Sequence, residues 1–479
     1  MELRKTKIVC TVGPAIDSEK MLIKMFNAGM NVARLNFSHG SYEEAIKRIA
    51  RIKTASAKTN KYIGIMLDTK GPEIRIGNFE NDECLFEEGD IVTLTSEEVI
   101  GNKKRFYVNC PEFFADIEKG NEILIDDGKM SFTVLEKTEE DVKCIANTTG
   151  ILKNKKGINV PGVELSMPFV SDKDYQDIKF GSEQGVDIIA LSFVRRKEDV
   201  LEIRQILKEL GTPNIEIVSK IENQEGLNNI KEIIDVSDGI MVARGDLGVE
   251  VEPQMVPILQ KRMIKLCREK RKPVIVATHM LESMIDNTFP TRAEASDVAN
   301  AVYECTDCVM LSAETAQGKY PVDAVKMMSS IIKQVEADPE YRKYVDAYTS
   351  EIKENTLGDV MTSAAAEITK KTDAKAVFAY TTSGTTAINL AKHKPNAPIV
   401  AVTTNDKVAG RVALCWGVTP VVVESTDSDK IDDLSRKIAK DLKLAKDGDE
   451  LVLTFGKGTE TSKSIFTEGA TTLVSVIKA

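Results

Sequence analysis

Eight short apolar segments, most of them followed by a stretch with helical spacing, constrain the first two thirds of this 479-residue chain. They are rich in β-branched residues, and most are apolar on both faces, as strands buried in a parallel sheet must be. The segments span residues 7–12, 31–37, 63–68, 187–193, 215–221, 239–243, 273–278 and 308–312. Eight β/α units predict a closed (β/α)₈ barrel, with an open, doubly wound sheet as the alternative.

Two regions lie outside the predicted barrel, residues 71–161 and residues 339–479. Residues 71–161 contain short alternating segments separated by Gly and Asp turns, which predicts a small all-β domain inserted after the third barrel strand. Such an insertion is well placed to act as a lid. We expect a catalytic barrel at 1–70 and 162–338, an inserted β-barrel lid at 71–161 and a C-terminal α/β domain at 339–479.

The overall charge narrows the possible partners. A formal net charge of −10 repels a phosphate backbone, so we expect no nucleic-acid partner. No apolar run is long enough to cross a bilayer and no signal peptide is evident, so we expect a cytoplasmic protein without a membrane partner. The eight cysteines are scattered, and we interpret Cys305 and Cys308, in a C-x-x-C, as structural thiols; redox or metal chemistry is the alternative.

Polar residues gather where the second and third predicted strands end. Arg34, Asn36 and Ser38 share one face of strand two, because side chains alternate along a strand. Asp68 and Thr69 end strand three. Their hard oxygens suit a group I or II cation, although residues that only cap turns are the alternative explanation.

Strands five and six end in charged residues. Lys220 and Glu222 share a face, and buried charges so close need a ligand or each other, so a purely structural pair is the alternative. Asp246 follows strand six, and with Glu222 it forms a plausible Mg²⁺ site, since Mg²⁺ takes one or two carboxylates and leaves the rest to water and substrate. The turn at Gly245 and Asp246 offers backbone N–H groups to an anion.

Strands seven and eight complete the pattern. Thr278 is suited to bond an oxyanion or a water, and Ser312 and Glu314 to relay a proton. Six of eight strands therefore end in polar groups at the end where barrel enzymes react. Metals, a lysine and an arginine suit phosphoryl transfer. Because no G-x-x-x-x-G-K-[ST] loop is present, a nucleotide must bind at the barrel rim and lid.

Several segments resemble the pyruvate kinase family, in order along residues 4–325, and the remainder fits that family's third domain. The matching segments are RLNFSHG at 34–40, LDTKGPEIR at 67–75, VSKIEN at 218–223, MVARGDLGV at 241–249, AT at 277–278, MLESM at 280–284, PTRAE at 290–294 and LSAET at 311–315. The resemblance implies the last step of glycolysis, in which the phosphoryl group of phosphoenolpyruvate moves to ADP, giving pyruvate and ATP.

The resemblance also implies a division of roles. Glu222 and Asp246 would hold Mg²⁺, for which Mn²⁺ can substitute, and Asn36, Ser38, Asp68 and Thr69 would hold K⁺. Phosphoenolpyruvate would contact Arg34, Lys220, Gly245, Asp246 and Thr278, and the nucleotide would contact Arg75, Lys156 and Asn36. Lys220 would stabilise the transferring phosphoryl group, and water near Thr278, backed by Ser312 and Glu314, would assist protonation of enolpyruvate.

Four positions refine the comparison with the family. Glu73 goes with K⁺ dependence in this family, where a lysine can replace the ion. His279 stands where many relatives have Gln, and Ala295 and Ala313 replace frequent glycines. We expect small effects from these departures, with a pH dependence from His279 as one consequence to test.

The third domain resembles the family's effector domain, and the family is typically homotetrameric. The turn containing Thr381, Ser383, Gly384 and Thr386 is suited to hold phosphate, with a simple helix cap as the alternative. The later loop at 456–469 supplies Lys457, Ser462, Lys463 and Ser464. We expect a sugar-phosphate activator.

Two other functions share part of this pattern. A lyase or aldolase barrel that forms a Mg²⁺ enolate would use Glu222 and Asp246 without needing Arg75 or Lys156. A metabolite-binding regulatory protein on a degenerate barrel is disfavoured by the intact set of Lys220, Glu222, Asp246 and Thr278. Turnover of phosphoenolpyruvate with ADP separates all three.

Overall fold

The chain begins with strand–helix units, and the computed structural model describes residues 4–38, 40–352, 354, 356–424, 430–456 and 471–479. The hydroxyls of Ser18 and Ser41 accept hydrogen bonds from backbone N–H groups of the first turns of the two helices that follow them, which fixes where those helices begin. The first elements are β1 (Lys7–Thr11), α1 (Glu19–Ala28), β2 (Val32–Asn36), α2 (Tyr42–Thr59) and β3 (Gly64–Asp68), with a 3₁₀ turn at Pro14–Ile16.

A mostly β segment follows β3. It forms a seven-stranded sheet in the order β4-β12-β8-β9-β10-β6-β7 and a two-stranded ribbon of β5 and β11 around its own apolar core. Its elements are β4 (Ile74–Arg75), β5 (Glu83–Phe86), β6 (Ile91–Thr95), β7 (Arg105–Tyr107), α3 (Pro111–Asp116), β8 (Glu122–Ile125), β9 (Met130–Lys137), β10 (Asp141–Ala146), β11 (Gly150–Lys153) and β12 (Gly157–Asn159). The sequence pattern did not predict the short helix α3.

The chain then returns to strand–helix units. These are α4 (Asp172–Gln184), β13 (Ile188–Leu191), α5 (Lys197–Glu209), β14 (Glu216–Ile221), α6 (Gln224–Asn228), α7 (Ile230–Val236), β15 (Gly239–Ala243), α8 (Arg244–Glu250), α9 (Val256–Glu269), β16 (Val274–Ala277), α10 (Arg292–Tyr303), β17 (Cys308–Leu311), α11 (Ala313–Ala316) and α12 (Pro321–Ala337), with 3₁₀ turns at Pro253–Met255 and Glu282–Ile285. The helical spacing of residues 224–234 predicts a single helix, but this segment forms two helices, α6 and α7.

Eight parallel strands close into a barrel. The order is β1-β17-β16-β15-β14-β13-β3-β2, and β1 pairs with both β17 and β2, which leaves no open edge. The predicted (β/α)₈ barrel is therefore confirmed, and the open-sheet alternative is wrong. Because all eight strands run the same way, their carboxyl ends meet at one mouth of the barrel.

The last part of the chain forms a separate five-stranded sheet in the order β20-β19-β18-β21-β22, in which only β22 runs antiparallel to its neighbour. Its elements are α13 (Pro339–Thr349), α14 (Leu357–Thr372), β18 (Ala376–Tyr380), α15 (Thr385–Lys392), β19 (Ile399–Thr403), α16 (Asp406–Arg411), β20 (Val418–Val422), α17 (Ile431–Asp441), β21 (Glu450–Phe455) and β22 (Leu473–Lys478). The α/β prediction is confirmed. The apolar run at 420–423 predicts a strand, and the observed strand begins earlier, at Val418.

All eight cysteine thiols are unpaired, and seven of them are buried. Burial raises the pKa of the Cys308 thiol well above its usual value, which makes that sulfur inert. Within the described ranges, no helix combines the length and the apolar composition needed to cross a bilayer.

Gly410, in α16, marks a close contact between the C-terminal sheet region and the barrel. A methyl group added there would lie 2.1 Å from Oδ1 of Asp187. The Asp187 carboxylate is fixed, since it accepts hydrogen bonds from the Tyr62 hydroxyl and the Ile65 N–H, both at 2.9 Å. The Tyr62 hydroxyl also donates to the carbonyl of Asp406 at 3.0 Å, so this network joins the two regions.

We expect Gly410→Ala to destabilise the protein by about 1–3 kcal/mol, because the added methyl must displace a hydrogen-bonded carboxylate in a packed junction. Urea unfolding followed by fluorescence measures the effect. Gly358→Ala is the matched control, since its added methyl would meet nothing closer than 3.9 Å. Equal midpoints for the Gly410 variant and the parent would contradict this account of the junction.

Candidate active site

Lys220, near the end of β14, lies at the centre of a buried charge cluster. Its Nζ is 3.1 Å from Oδ1 of Asp68, 3.1 Å from Oε1 of Glu222 and 2.8 Å from Oγ of Ser192. Lys220 is 8% exposed, and both carboxylates are 1% exposed. Buried charges of this kind are tolerated only when they compensate each other.

Arg34 lies on β2, the strand next to β3, and its side chain joins the same cluster. Its Nε donates to Oδ2 of Asp68 at 2.5 Å, and its Nη1 donates to the hydroxyl of Thr11 at 2.9 Å. Asp68 thus accepts from a different cation on each carboxylate oxygen. Burial acts to raise the pKa of Asp68, but Arg34 and Lys220 together hold that pKa below its usual value.

The same environment shifts the pKa of Lys220 upward. Burial acts to lower its pKa, but the charges of Asp68 and Glu222 outweigh burial and raise it. Arg34 and Asp246 also act on it electrostatically. The ammonium is therefore positively charged at neutral pH and points to the barrel mouth, together with the arginine.

Glu222 and Asp246 form the pair of carboxylates suited to a metal. Glu222 Oε2 accepts the backbone N–H of Phe193 at 2.6 Å, which fixes the carboxylate, and Asp246 lies in the first turn of α8. Burial raises the pKa of Glu222 to about 7, with Lys220 lowering it and Asp246 raising it. Asp246 therefore acts electrostatically on both Lys220 and Glu222.

Two carboxylates and no histidine or cysteine suit Mg²⁺ or Mn²⁺. In the part of the chain that is described, no group of three or more His, Cys, Asp or Glu side chains is arranged around a common point. A pair of carboxylates matches an ion that keeps positions for water and substrate oxygens. The buried negative charge also fits a divalent cation.

Thr278 and Gly245 meet at the ends of β16 and β15. The Gly245 N–H donates to the Thr278 hydroxyl at 2.8 Å, so here that N–H, predicted to face an anion, has an internal partner. Thr278 and the following His279 both have positive φ angles, 66° and 53°. Such backbone costs about 1–3 kcal/mol per residue and persists only where surrounding contacts hold it.

Arg244 supplies those contacts. Its guanidinium donates to the carbonyls of Ala277 at 3.1 Å and Thr278 at 2.6 Å, and it pairs with Asp297 at 2.7 Å. His279 itself points outward, with a side chain that is 63% exposed and 3.7 Å from Glu282. Its exposure agrees with the small effect expected for this departure from the family.

Glu314 holds the loops at the end of β17 together. Its carboxylate accepts the backbone N–H groups of Ser312 at 2.7 Å and Leu281 at 3.1 Å. Burial raises the pKa of Glu314, although the N–H groups oppose that effect. The structure therefore brings Glu314 beside Ser312 and the segment that follows Thr278.

The four residues expected to hold K⁺ lie at the ends of β2 and β3. Asn36 is opposite Asp68 in the strand register, and the Asn36 side-chain oxygen accepts the N–H of Ser38 at 3.0 Å. The Thr69 hydroxyl accepts the N–H of Ser192 at 3.3 Å. The four residues are thus neighbours, with some of their oxygens already engaged by protein donors.

A cavity of about 310 Å³ separates the barrel mouth from the β segment that includes β4 and β12. Arg75, Lys156, Asp246 and Glu250 line it, whereas Arg34 and Lys220 do not. Arg75 pairs with Glu73 at 2.7 Å, and Lys156 with Asp126 at 2.8 Å. An elongated ligand in this cavity would therefore reach the charge cluster through Asp246.

The predicted effector turn lies between β18 and α15. Gly384 has φ 86°, and its N–H donates to the Thr381 hydroxyl at 2.8 Å. Arg411 donates to the carbonyl of Ser383 at 2.9 Å, and the buried Thr386 shares a hydrogen bond with Thr471 at 2.7 Å. The residues named for the later loop, Lys457, Ser462, Lys463 and Ser464, lie outside the described residues.

Sequence reasoning missed three residues of this site. Thr11 ends β1 and holds Arg34, Ser192 follows β13 and bonds Lys220, and Arg244 fixes the backbone at Thr278. The first two belong to the two strands that the analysis of strand ends left out, and the same rule finds both. Arg244 directly follows β15 and is found by the same rule, but its role is not visible in the sequence because it depends on carbonyls of the next strand.

Comparisons with known proteins agree with this geometry. A family model described as the pyruvate kinase barrel domain matches residues 3–325, and another, described as its alpha/beta domain, matches 359–467. A pyruvate kinase of Staphylococcus epidermidis is 48% identical over 457 residues, which cover 95% of this chain and 78% of the relative. One from Geobacillus stearothermophilus is 47% identical over 456 residues, with the same coverage.

A solved structure matches along nearly the whole length. The crystal structure of a pyruvate kinase from Cryptosporidium parvum has a TM-score of 0.92 and 37% sequence identity, and the match covers 99% of this chain and 96% of that chain. With two family models, relatives near 48% identity and the barrel-mouth charge cluster in agreement, the chain belongs to the pyruvate kinase family, as a phosphotransferase that acts on phosphoenolpyruvate and ADP.

Proposed function

We propose that Lys220, Arg34 and a divalent cation bound by Glu222 and Asp246 hold the transferring phosphoryl group of phosphoenolpyruvate at the barrel mouth. The observation that carries the proposal is the position of Lys220 Nζ, 3.1 Å from both Asp68 and Glu222, with Arg34 joined to the same aspartate. Positive groups fixed in this way stabilise the charge on a phosphoryl group without reorganising during the reaction.

Mg²⁺, or Mn²⁺ in its place, supplies charge neutralisation and orientation of phosphate oxygens when it is bound. The chain's own residues do the rest. Lys220 and Arg34 exchange part of their bonding to Asp68 for bonding to the phosphate. Gly245 and Thr278, held by Arg244, define the side of the site where the carboxylate and enol of phosphoenolpyruvate lie.

Protonation of enolpyruvate completes the reaction. We assign Thr278 to position the water that delivers the proton to the methylene carbon, since its hydroxyl is fixed by Gly245 and Ala277. Ser312 and Glu314 stand behind that water. Burial raises the pKa of Glu314, which is the direction that favours a carboxyl group able to give up and take back a proton.

The nucleotide site is proposed for the cavity below the β segment. Arg75 and Lys156 contribute positive charge to it, and Asp246 connects it to the metal pair. Asn36 is assigned to the nucleotide side of the K⁺ site. An extended ligand with phosphates toward Asp246 accounts for these positions, and no glycine-rich nucleotide loop is needed.

The remaining assignments follow the family. We propose domains at 1–70 with 162–338, 71–161 and 339–479, and a homotetramer activated by a sugar phosphate at Thr381, Ser383, Gly384 and Thr386. The tight turn at Gly384 supports the effector assignment. A cytoplasmic location is supported by the eight unpaired thiols, since disulfides are rare in reducing compartments.

K⁺ dependence is expected from Asn36, Ser38, Asp68 and Thr69, and from Glu73, which accompanies K⁺ dependence in this family. In medium containing neither K⁺ nor Na⁺ the parent should lose most of its activity. Without K⁺, Glu73→Lys should turn over about tenfold faster than the parent, because an ammonium supplies the positive charge that the ion otherwise provides near the phosphate. Initial rates in tetramethylammonium buffer, with and without added K⁺, measure this.

Glu73→Gln is the matched control for that experiment. It removes the ion pair with Arg75 without adding positive charge, so it should remain K⁺-dependent. Full activity of the parent without monovalent cations would contradict the proposed ion site.

Turnover tests the proposed chemistry as a whole. Pyruvate should form from phosphoenolpyruvate only when ADP and a divalent cation are both present, and K⁺ should increase the rate. Pyruvate formation without ADP would instead indicate a lyase or a hydrolase, and no turnover under any of these conditions would indicate a binding protein.

A further inference from the structure

A small basic cavity lies far from the barrel mouth, where the amino end of the barrel meets the C-terminal region. Its volume is about 30 Å³. That space holds roughly two or three water molecules, which is the scale of one tetrahedral oxyanion. The barrel side contributes residues between α9 and β16, and the C-terminal side contributes the end of α15.

The charges around this cavity are unequal. Five cationic side chains line it, namely Arg268, Arg271, Lys272, Lys392 and Lys394, whereas Asp307 is the one carboxylate among its lining residues. Two more carboxylates lie nearby, because Asp359 pairs with Arg271 at 2.5 Å and Glu354 acts on Lys392 electrostatically. Among the side chains that line the cavity, cations therefore outnumber carboxylates, although the charges of Asp238 and Glu216, outside the lining, also act on Lys272.

Repulsion within this cluster acts on Lys392. Burial lowers the pKa of Lys392, and the charge of Arg271 lowers it further. Like charges this close repel one another unless an anion stands between them. The C-terminal ends of α9 and α15 also face the cavity, and their partial negative charge offsets only a fraction of the excess.

Two cationic donors at the cavity lack hydrogen-bond acceptors among the residues that the structure describes. They are Nζ of Lys394 and Nε of Arg268. Lys394 is 2% exposed; its ammonium lies 3.7 Å from Asp307, beyond hydrogen-bonding distance, and 4.5 Å from the Trp416 ring centroid. Arg268 stacks on Tyr348, with Cζ 3.4 Å from the ring centroid.

Unsatisfied buried donors with a net positive charge call for an acceptor. We propose that this cavity binds a phosphate group, either as inorganic phosphate or as the head of a phosphate monoester whose remainder lies outside. The site differs from the turn at Thr381–Thr386, since α15 starts in that turn and ends at Lys392 in the cavity. One eight-residue helix therefore joins the two places.

Calorimetric titration of the full chain with inorganic phosphate, at constant ionic strength and without divalent cations, tests this proposal. Arg268→Gln and Lys394→Gln should each weaken phosphate binding about tenfold or more, since a hydrogen bond to a charged group is lost. Lys270→Gln is the matched control. It removes the same charge from the same loop, but Lys270 pairs with Asp235 outside the cavity.

Phosphate that binds elsewhere contributes equally to all four proteins, so only the difference between variants counts. Affinity within twofold of the parent in both Arg268→Gln and Lys394→Gln would overturn the proposal, as would an equal loss in Lys270→Gln. If Lys394→Gln fails to fold, phosphate binding by Arg268→Gln decides the result alone, because Arg268 is only half-buried. The ligand is a phosphate monoester if glycerol phosphate binds the parent more tightly than inorganic phosphate does and loses that advantage in Arg268→Gln. The ligand is inorganic phosphate if the two affinities are equal.

Discussion

Lys220→Met should lower kcat by about 10³–10⁵-fold, because the positive charge aimed at the transferring phosphoryl group would be lost. The Michaelis constant for phosphoenolpyruvate should change much less, since Arg34 and the metal pair remain to bind it. A coupled assay for pyruvate, with single-turnover measurements on the variant, gives both values. An interaction made mainly in the transition state predicts this separation of kcat from KM.

The same substitution should have a structural signature. It leaves Glu222 without its cation and Asp68 with Arg34 alone, and breaking a buried ion pair typically costs about 3–5 kcal/mol. Added Mg²⁺ should recover part of that stability, because it supplies positive charge between Glu222 and Asp246. Thermal unfolding with and without Mg²⁺ measures the recovery.

Lys7→Met is the matched control for Lys220→Met. Lys7 is a buried barrel lysine too, but it lies at the first residue of β1, at the opposite end of the barrel. Its loss should lower stability and leave kcat within about threefold of the parent. A kcat for Lys220→Met within tenfold of the parent would remove this lysine from the proposed chemistry.

Asp246→Asn should reduce kcat/KM by about 10²–10³-fold and shift the Mg²⁺ activation curve to at least tenfold higher concentration. The amide keeps the shape of the side chain but removes one of two negative charges proposed to hold the ion. Rates measured across a wide range of Mg²⁺ concentration at pH 8 show both effects.

Glu250→Gln provides the comparison. Glu250 is one turn further along α8, and its carboxylate accepts a hydrogen bond from Asn159 at 2.9 Å instead of facing Glu222. Burial raises the pKa of Glu250, so both variants are compared at the same alkaline pH of the assay. Its Mg²⁺ curve should coincide with that of the parent. A parent-like curve for Asp246→Asn would exclude Asp246 as a metal ligand.

The barrel was predictable because its signal is repeated eight times. Most of the strands are apolar on both faces, and the predicted and observed strands agree within two residues at every end. The predicted and observed elements differ where the prediction depended on a single local sequence signal. The helix expected at 224–234 divides at Asn229. The strand β20 begins at Val418, directly after Gly417, so Pro420 lies inside the strand and not at its start.

The candidate site was predictable to the extent that strand ends are visible in sequence. Arg34, Asp68, Lys220 and Glu222 are recognisable as polar residues at the ends of apolar runs, and parallel strands bring those ends together. Their actual bonding is not visible there, since the sharing of Asp68 between Arg34 and Lys220 depends on side chains from three strands. Contacts such as Arg244 to the Thr278 carbonyl lie beyond sequence reasoning for the same reason.

The convergence of Lys220, Arg34, Glu222 and Asp246 on one metal-bridged phosphate is tested most directly by anomalous diffraction from crystals grown with Mn²⁺ and phosphoenolpyruvate. We expect one manganese peak within about 2.0–2.3 Å of a carboxylate oxygen from each acidic residue, with the phosphate between that ion, Lys220 and Arg34. A manganese ion bound elsewhere, or a phosphate that neither basic side chain reaches, would contradict this account.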